Sequence, residues 1–244
     1  MNPRITLTPR LRWLLWLAVF ALFVGVWLYP VSSGFTRACG VALFAVLWAG
    51  LIGLVWRARA ARFGMLGFTV LVAAFLAMPG RSQRDGAALR SGYVAGLLRY
   101  GGVRYFWGGE SPKGIDCSGL IRRGLIDSLF LRGVRTLDAG LVRHALWLWW
   151  HDCTARELGE GGEGHGMTTP LLETPSINAL DHAKISPGDI AVTANGLHVM
   201  AYLGDKRWIE ADPSFDRVLT ITVPTENGWF REPMKIVQWD IFRK

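Results

Sequence analysis

The 244 residues carry a formal charge of +8, and 51% of the side chains are hydrophobic. Residues 1–84 hold nine arginines, no lysine and no acidic residue, whereas 85–244 hold 18 basic and 19 acidic residues. The basic excess therefore belongs to the first third alone, and the rest of the chain shows no basic, aromatic-interleaved patch of the kind that binds nucleic acid.

The first third is also the apolar part. Trp13–Tyr29, Ala38–Trp56 and Phe63–Pro79 run for 17, 19 and 17 residues without a charge. Each approaches the roughly 20 apolar residues that cross a hydrocarbon core, so three transmembrane helices are expected. Arg4, Arg10 and Arg12 precede the first span, and Arg57, Arg59 and Arg62 in "RARAAR" separate the second from the third. The loop "PVSSGFTR" carries only Arg37, and Arg81 and Arg84 follow the third span. Six arginines against three favour a cytoplasmic N terminus and second loop, which with three crossings puts everything after Gly80 outside; with only two spans the large domain would be cytoplasmic. Cleavage of the first span as a signal peptide is disfavoured by the apolar run that follows at once. "TRAC" before Gly40 has an arginine and no leucine, which argues against lipidation at Cys39. The connector "GRSQRDG" (80–86) is short and would hold the remaining chain near the bilayer. The division expected is a membrane anchor over 1–84 and a soluble domain over 85–244.

In the soluble part Leu89, Val94, Leu97 and Leu98 recur at helical spacing, predicting a helix from Ala87 to about Tyr100. A glycine-rich loop with an aromatic centre follows, and then "KGIDCSGLIRRGL" (113–125). There Leu120, Ile121, Leu125 and Leu129 set a helical period to about Leu131, with Cys117 in the first turn. A thiol in that place is either a small core residue or a nucleophile whose thiolate the positive helix end stabilises. "DAGLVRHALWLWWH" (138–151) predicts a further helix whose Trp147, Leu148, Trp149 and Trp150 read as core, with a membrane-facing rim as the alternative. "ELGEGGEGHGMTTP" (157–170) reads as loop, either a lid over a cleft or a plain insertion.

After Pro187-Gly188 the period becomes two. "DIAVTANGLHVMAYLGDKRWIEAD" gives strand, Asn195-Gly196 turn, strand, Gly204-Asp205 turn, strand. Arg217–Val223 and Met234–Phe242 supply two more strands. Helices followed by an antiparallel meander define an α+β fold class: three N-terminal transmembrane helices, then a domain of helices packed on a small antiparallel sheet.

A cysteine nucleophile needs a base and a group that orients it. Of the histidines at 144, 151, 165, 182 and 198, His198 stands at the start of a strand between Leu197 and Val199. If Leu203 pairs with Arg207, Glu210 falls opposite Met200, on the face of His198 and diagonal to it. Diagonal neighbours lie roughly 7–8 Å apart, within reach of a long side chain. A slip of one residue would turn Glu210 to the other face, as an exposed strand residue.

The ordered set "YFWGGESPKGIDCSGL", "SPGDIAV", "HVMAYLGD" and "WIEAD" resembles the NlpC-type cell-wall peptidases, a papain-like cysteine peptidase family, over about residues 88–223. The resemblance implies a papain-like domain with Cys117 as nucleophile and His198 as base. It also implies that Tyr105, Asp116 and Ser118 line the substrate site, the last two holding a free peptide amine. Asp116 can serve at the same time as helix cap. The family's third polar residue is usually His, Asn or Gln, and here the matching position is Glu210. A carboxylate there would stabilise an imidazolium and raise the His198 pKa, favouring a thiolate–imidazolium pair. The stretch 132–186 is longer than in compact members and is expected to wall the cleft.

The resulting expectation is a membrane-anchored hydrolase acting on peptidoglycan stem peptides outside the bacterial inner membrane, at the bond from D-glutamate to a diamino acid. The alternatives are an amidase, thioesterase or acyltransferase of the same fold acting on lipid-like substrates, and a non-catalytic wall-binding module. No cofactor is implied. His151, Asp152, Cys153 and His165 lack the paired close spacing of a zinc site, and no phosphate-binding glycine loop follows a strand. A Cys117–Cys153 disulfide would consume the nucleophile.

Overall fold

The computed structural model describes residues 8–81, 85–161 and 167–243. Arg4, Arg84 and His165, which entered the topology and metal readings, lie outside the described residues, as do positions 162–166 of the glycine-rich loop. The chain forms two compact units, Met1–Met78 and Pro79–Lys244.

The first unit is three helices: α1 (Pro9–Leu28), α2 (Gly34–Leu54) and α3 (Arg59–Ala77). Thr8 caps α1, and Ser33 with Thr36 forms a capping box on α2. All three are long and apolar enough to cross a membrane. Large apolar side chains point outward, among them Leu14, Trp27, Phe35 and Leu71. Polar bonds between helices come from tryptophans: Trp16 Nε1 donates to the Leu47 carbonyl at 2.9 Å, and Trp48 Nε1 to Thr69 Oγ1 at 3.0 Å.

The second unit opens with α4 (Gly86–Leu98), followed by the two-residue strands β1 (Glu110–Ser111) and β2 (Gly114–Ile115). Then come α5 (Cys117–Arg135), α6 (Ala139–Trp150) and the short α7 (Ala155–Gly159). The sheet contains β3 (Thr168–Thr174), β4 (Ile190–Thr193), β5 (Val199–Gly204), β6 (Arg207–Asp212), β7 (Arg217–Thr222) and β8 (Met234–Trp239). Its order is β3-β8-β4-β5-β6-β7 and every pairing is antiparallel. This is the α+β arrangement expected from the sequence.

The strand expected over Met234–Phe242 ends at Trp239, with one 3-10 turn over Asp240–Phe242, and two more elements depart from expectation. α5 continues to Arg135, four residues past Leu131, and Gly133 in its last turns lets α6 approach. A Cβ on Gly133 would stand 2.7 Å from Val142 Cγ2 and 3.0 Å from the Asp138 carbonyl. The second is β3, which occupies part of the stretch read as loop. It is an edge strand with an irregular register between Pro170 and Leu172, which is where a sheet tolerates proline.

Strand alternation gives the sheet two faces. Ile190, Val192, Val199, Ala201, Ile209, Ala211 and Val237 join Leu89, Leu97, Leu120, Leu125 and Leu148 of the helices in one buried cluster. Ala191, Met200, Tyr202, Trp208 and Ile236 join Ile177, Leu180, Val223 and Phe230 of the connecting segments in another. Leu148 is buried, with Trp147 and Trp149 packed on the first cluster, while Trp150 is 48% exposed. Asp189 of "SPGDIAV" ties α4 to the sheet, accepting from Arg90 Nη1 at 2.5 Å and from the Ser186 N–H at 2.8 Å.

Candidate active site

The start of α5 is built by its own cap. Asp116 Oδ1 accepts the Gly119 N–H at 2.6 Å, so the helix begins at Cys117. The same oxygen takes the Ser118 hydroxyl at 3.1 Å, and Oδ2 takes the Gly108 N–H at 2.8 Å. Asp116 thus clamps the aromatic loop to the helix. Gly119 is required for that closeness, because a Cβ there would lie 2.2 Å from the Gly109 carbonyl. Burial pushes the Asp116 carboxyl up from the ordinary range, against the pull of its three donors. Cys117 is a free thiol, 9% exposed, within the helix-side cluster.

The β4–β5 turn sets His198. Thr193 Oγ1 accepts the N–H groups of Leu197 and His198 at 3.0 and 2.9 Å, and the Thr193 N–H donates to the His198 carbonyl at 3.0 Å. Gly196, at φ +71°, supplies the left-handed residue of the turn. His198 falls just before β5, one residue short of the strand in which it was expected.

The β5–β6 register follows the predicted alignment, with Ala201 opposite Ile209 and Tyr202 opposite Trp208. A bulge then pairs Gly204, in place of Leu203, with Arg207. Glu210 therefore shares its strand face with Trp208 and reaches His198: Nε2 and Oε2 are 2.6 Å apart. Both residues are buried, at 1% and 0% exposure. Cys117 is the other group close enough to act on the imidazole, favouring its charged form. The ring thus joins a thiol from the helix layer to a carboxylate on the opposite strand face. Burial alone would lower the His198 pKa, but the bonds and charges of Cys117 and Glu210 outweigh it and raise it to about 9.

Tyr105, half-buried, stands near Cys117, Asp116 and Asp212, and its phenol is held well above the ordinary range by burial and then by those negative neighbours. The structure therefore brings Cys117, His198 and Glu210 together, with Tyr105, Asp116 and Ser118 around the thiol.

Two participants were not read from the sequence. The Trp229 indole stacks on His198 with ring centroids 4.4 Å apart and planes 18° from parallel. Asn227 Nδ2 donates to Glu210 Oε1 and to Asp212 Oδ2, each at 2.9 Å. Both belong to "ENGWF" (226–230), the segment between β7 and β8. A second charge cluster, in which Arg122 and Glu110 are buried and Asp152 is exposed, supports the same helix. Arg122 is paired with Asp152 and with Glu110 Oε1 at 3.3 Å, and donates to the carbonyls of Leu148 and His151 at 2.5 and 2.7 Å. No group of three metal-ligating side chains occurs among the described residues.

No protein-family model matches the chain, and no curated protein matches it. Among solved structures it is similar to the NlpC/p60 domain of the peptidoglycan hydrolase SagA, at 24% identity and TM-score 0.34, over 63% of this chain and 98% of that one. It is also similar to the NlpC1 protein of Trichomonas vaginalis, at 20% identity and TM-score 0.41, over 64% of this chain and 46% of that one. The peptidoglycan hydrolase RipB of Mycobacterium tuberculosis matches at 19% identity and TM-score 0.37, over 62% of this chain and 65% of that one. The chain thus spans less than two thirds of the length of the latter two proteins.

Proposed function

We propose that the protein is a membrane-anchored thiol hydrolase that cleaves peptidoglycan stem peptides, at the bond joining D-glutamate to a diamino acid. The observation that carries the hydrolase reading is the buried contact of Cys117, His198 and Glu210, with 2.6 Å between the imidazole and the carboxylate. With Nε2 on Glu210, Nδ1 is the nitrogen left to exchange a proton with Cys117. The substrate class rests on the ordered motifs that resemble NlpC-type peptidases.

The thiol proton rests on His198, as the raised pKa of the imidazole favours, and the thiolate sulfur attacks the peptide carbonyl carbon. Backbone N–H groups in the first turn of α5 stabilise the oxyanion. The C–N bond then breaks, and His198 protonates the departing amine. Water attacks the thioester, returning a proton through His198, and the carboxylate product leaves a free thiol. Glu210 holds the imidazolium that forms in each half. Tyr105, Asp116 and Ser118 line the substrate side. A buried carboxylate such as Asp116 favours a cationic partner, which a free peptide amine supplies. The three apolar helices anchor the unit, with the catalytic domain outside the bacterial inner membrane as the arginine distribution implies.

The test is digestion of purified muropeptides by the full chain. Turnover with new D-glutamyl carboxyl termini is expected from the parent and none from Cys117→Ala; equal turnover by the variant overturns the assignment.

A further inference from the structure

Glu210 and Asp212 are two residues apart on β6 and so project from the same face, and both are almost wholly buried. Burial pushes the Glu210 carboxyl up, and Asp212 is close enough for its charge to add to that. Two carboxyl groups held this close in a dry site tend to share one proton. A Glu210 that shared a proton with Asp212 would turn less negative charge toward His198.

One side chain stands at that junction. Asn227 gives one amide hydrogen to Glu210 Oε1 and the other to Asp212 Oδ2. Its orientation is fixed by its own oxygen, which accepts the Trp229 N–H at 3.0 Å and leaves the NH2 facing the carboxylates. Trp229 in turn covers the imidazole. Asp212 is held on its other oxygen by the Ser214 N–H at 2.7 Å. Around His198 the titratable groups are Cys117 from α5 and Glu210 from β6, with Asp212 behind Glu210 and Tyr105 beside Cys117 and Asp212.

We propose that Asn227 is a positioning residue: its single amide keeps Glu210 and Asp212 as separate acceptors, so that Glu210 presents Oε2 and its full charge to His198. This rests on the reading of His198 as the partner of Cys117, and it adds a part that the triad alone does not contain. Removing the amide lets the two carboxyls take up a shared proton. Removing Asp212 as well takes away the partner for that proton and restores the Glu210 charge.

The experiment is an NMR titration of His198 in the full chain, labelled at histidine Cε1, solubilised in detergent and assigned by the signal lost in His198→Gln. Asn227→Ala is expected to lower the His198 titration by about one pH unit or more. The double variant Asn227→Ala/Asp212→Asn is expected to return it to near the parent value. Asn227→Ser, which keeps an oxygen to cap the 228–231 turn but has one hydrogen to give, is expected to titrate below the parent. It serves if the alanine variant does not fold. A purely structural role would leave the titration of folded protein unmoved. Titration of Asn227→Ala or Asn227→Ser at the parent value, or failure of Asp212→Asn to restore it, overturns the proposal. No substrate is needed, so this result is independent of muropeptide turnover.

Discussion

Cys117 and Cys153 are both free, both buried and both part of the helix-side core, yet their surroundings differ in kind. Cys153 follows α6 and lies beside Glu157 and Asp152, with its thiol 3.6 Å from the Thr154 carbonyl. Burial, followed by the Glu157 charge, pushes that thiol up to about 12, against the pull of Arg122. Cys117 begins a helix and touches an imidazole backed by a carboxylate. Burial makes one thiol inert, and the same burial strengthens the polar partners of the other.

Exchanging each thiol for a methyl gives the widest separation. Cys117→Ala should lower muropeptide turnover by about 10⁴-fold or more, whereas Cys153→Ala should stay within a few-fold. Comparable losses in both would erase the distinction. Next in size is the histidine's partner. Glu210→Gln keeps the shape and removes the charge, and kcat should fall by about 10²-fold with KM little changed.

A pH effect follows. The folded His198 pKa of about 9 lies above the ordinary histidine value of 6.5. Its stabilising contribution is therefore complete below about 6.5 and is lost as pH rises through about 9. Thermal melts of the parent should lose stability across that window by an amount absent from His198→Gln. The smallest effect is structural. Gly119→Ala would set a Cβ 2.2 Å from the Gly109 carbonyl. Overpacking of this kind costs about 1–3 kcal/mol, so Tm should drop by a few degrees, and turnover should fall as the loop clamped by Asp116 moves.

What could be read from the sequence was what local pattern determines. The long uncharged runs announced α1, α2 and α3. Asp116 followed by periodic leucines placed Cys117 at a helix start. Alternation around Asn195-Gly196 gave β4, β5 and β6 in a register that set Glu210 toward His198. What escaped was long-range or locally disguised. β3 pairs with β8 from 60 or more residues away and contains a proline, so alternation did not reveal it. Asn227 and Trp229 reach the site only because the segment after β7 folds back over the sheet, a placement that no spacing in "ENGWF" encodes. Arg122 is one of four arginines in α5, and its pairing with Glu110 before that helix and Asp152 after α6 is set by tertiary placement.

The most direct measurement is mass spectrometry of the full chain quenched in acid during muropeptide turnover. A thioester adduct with the mass of the amino-terminal substrate fragment is expected on the peptide containing Cys117 and not on the one containing Cys153. Turnover that proceeds with no adduct on Cys117, or with the adduct on another residue, would contradict the account.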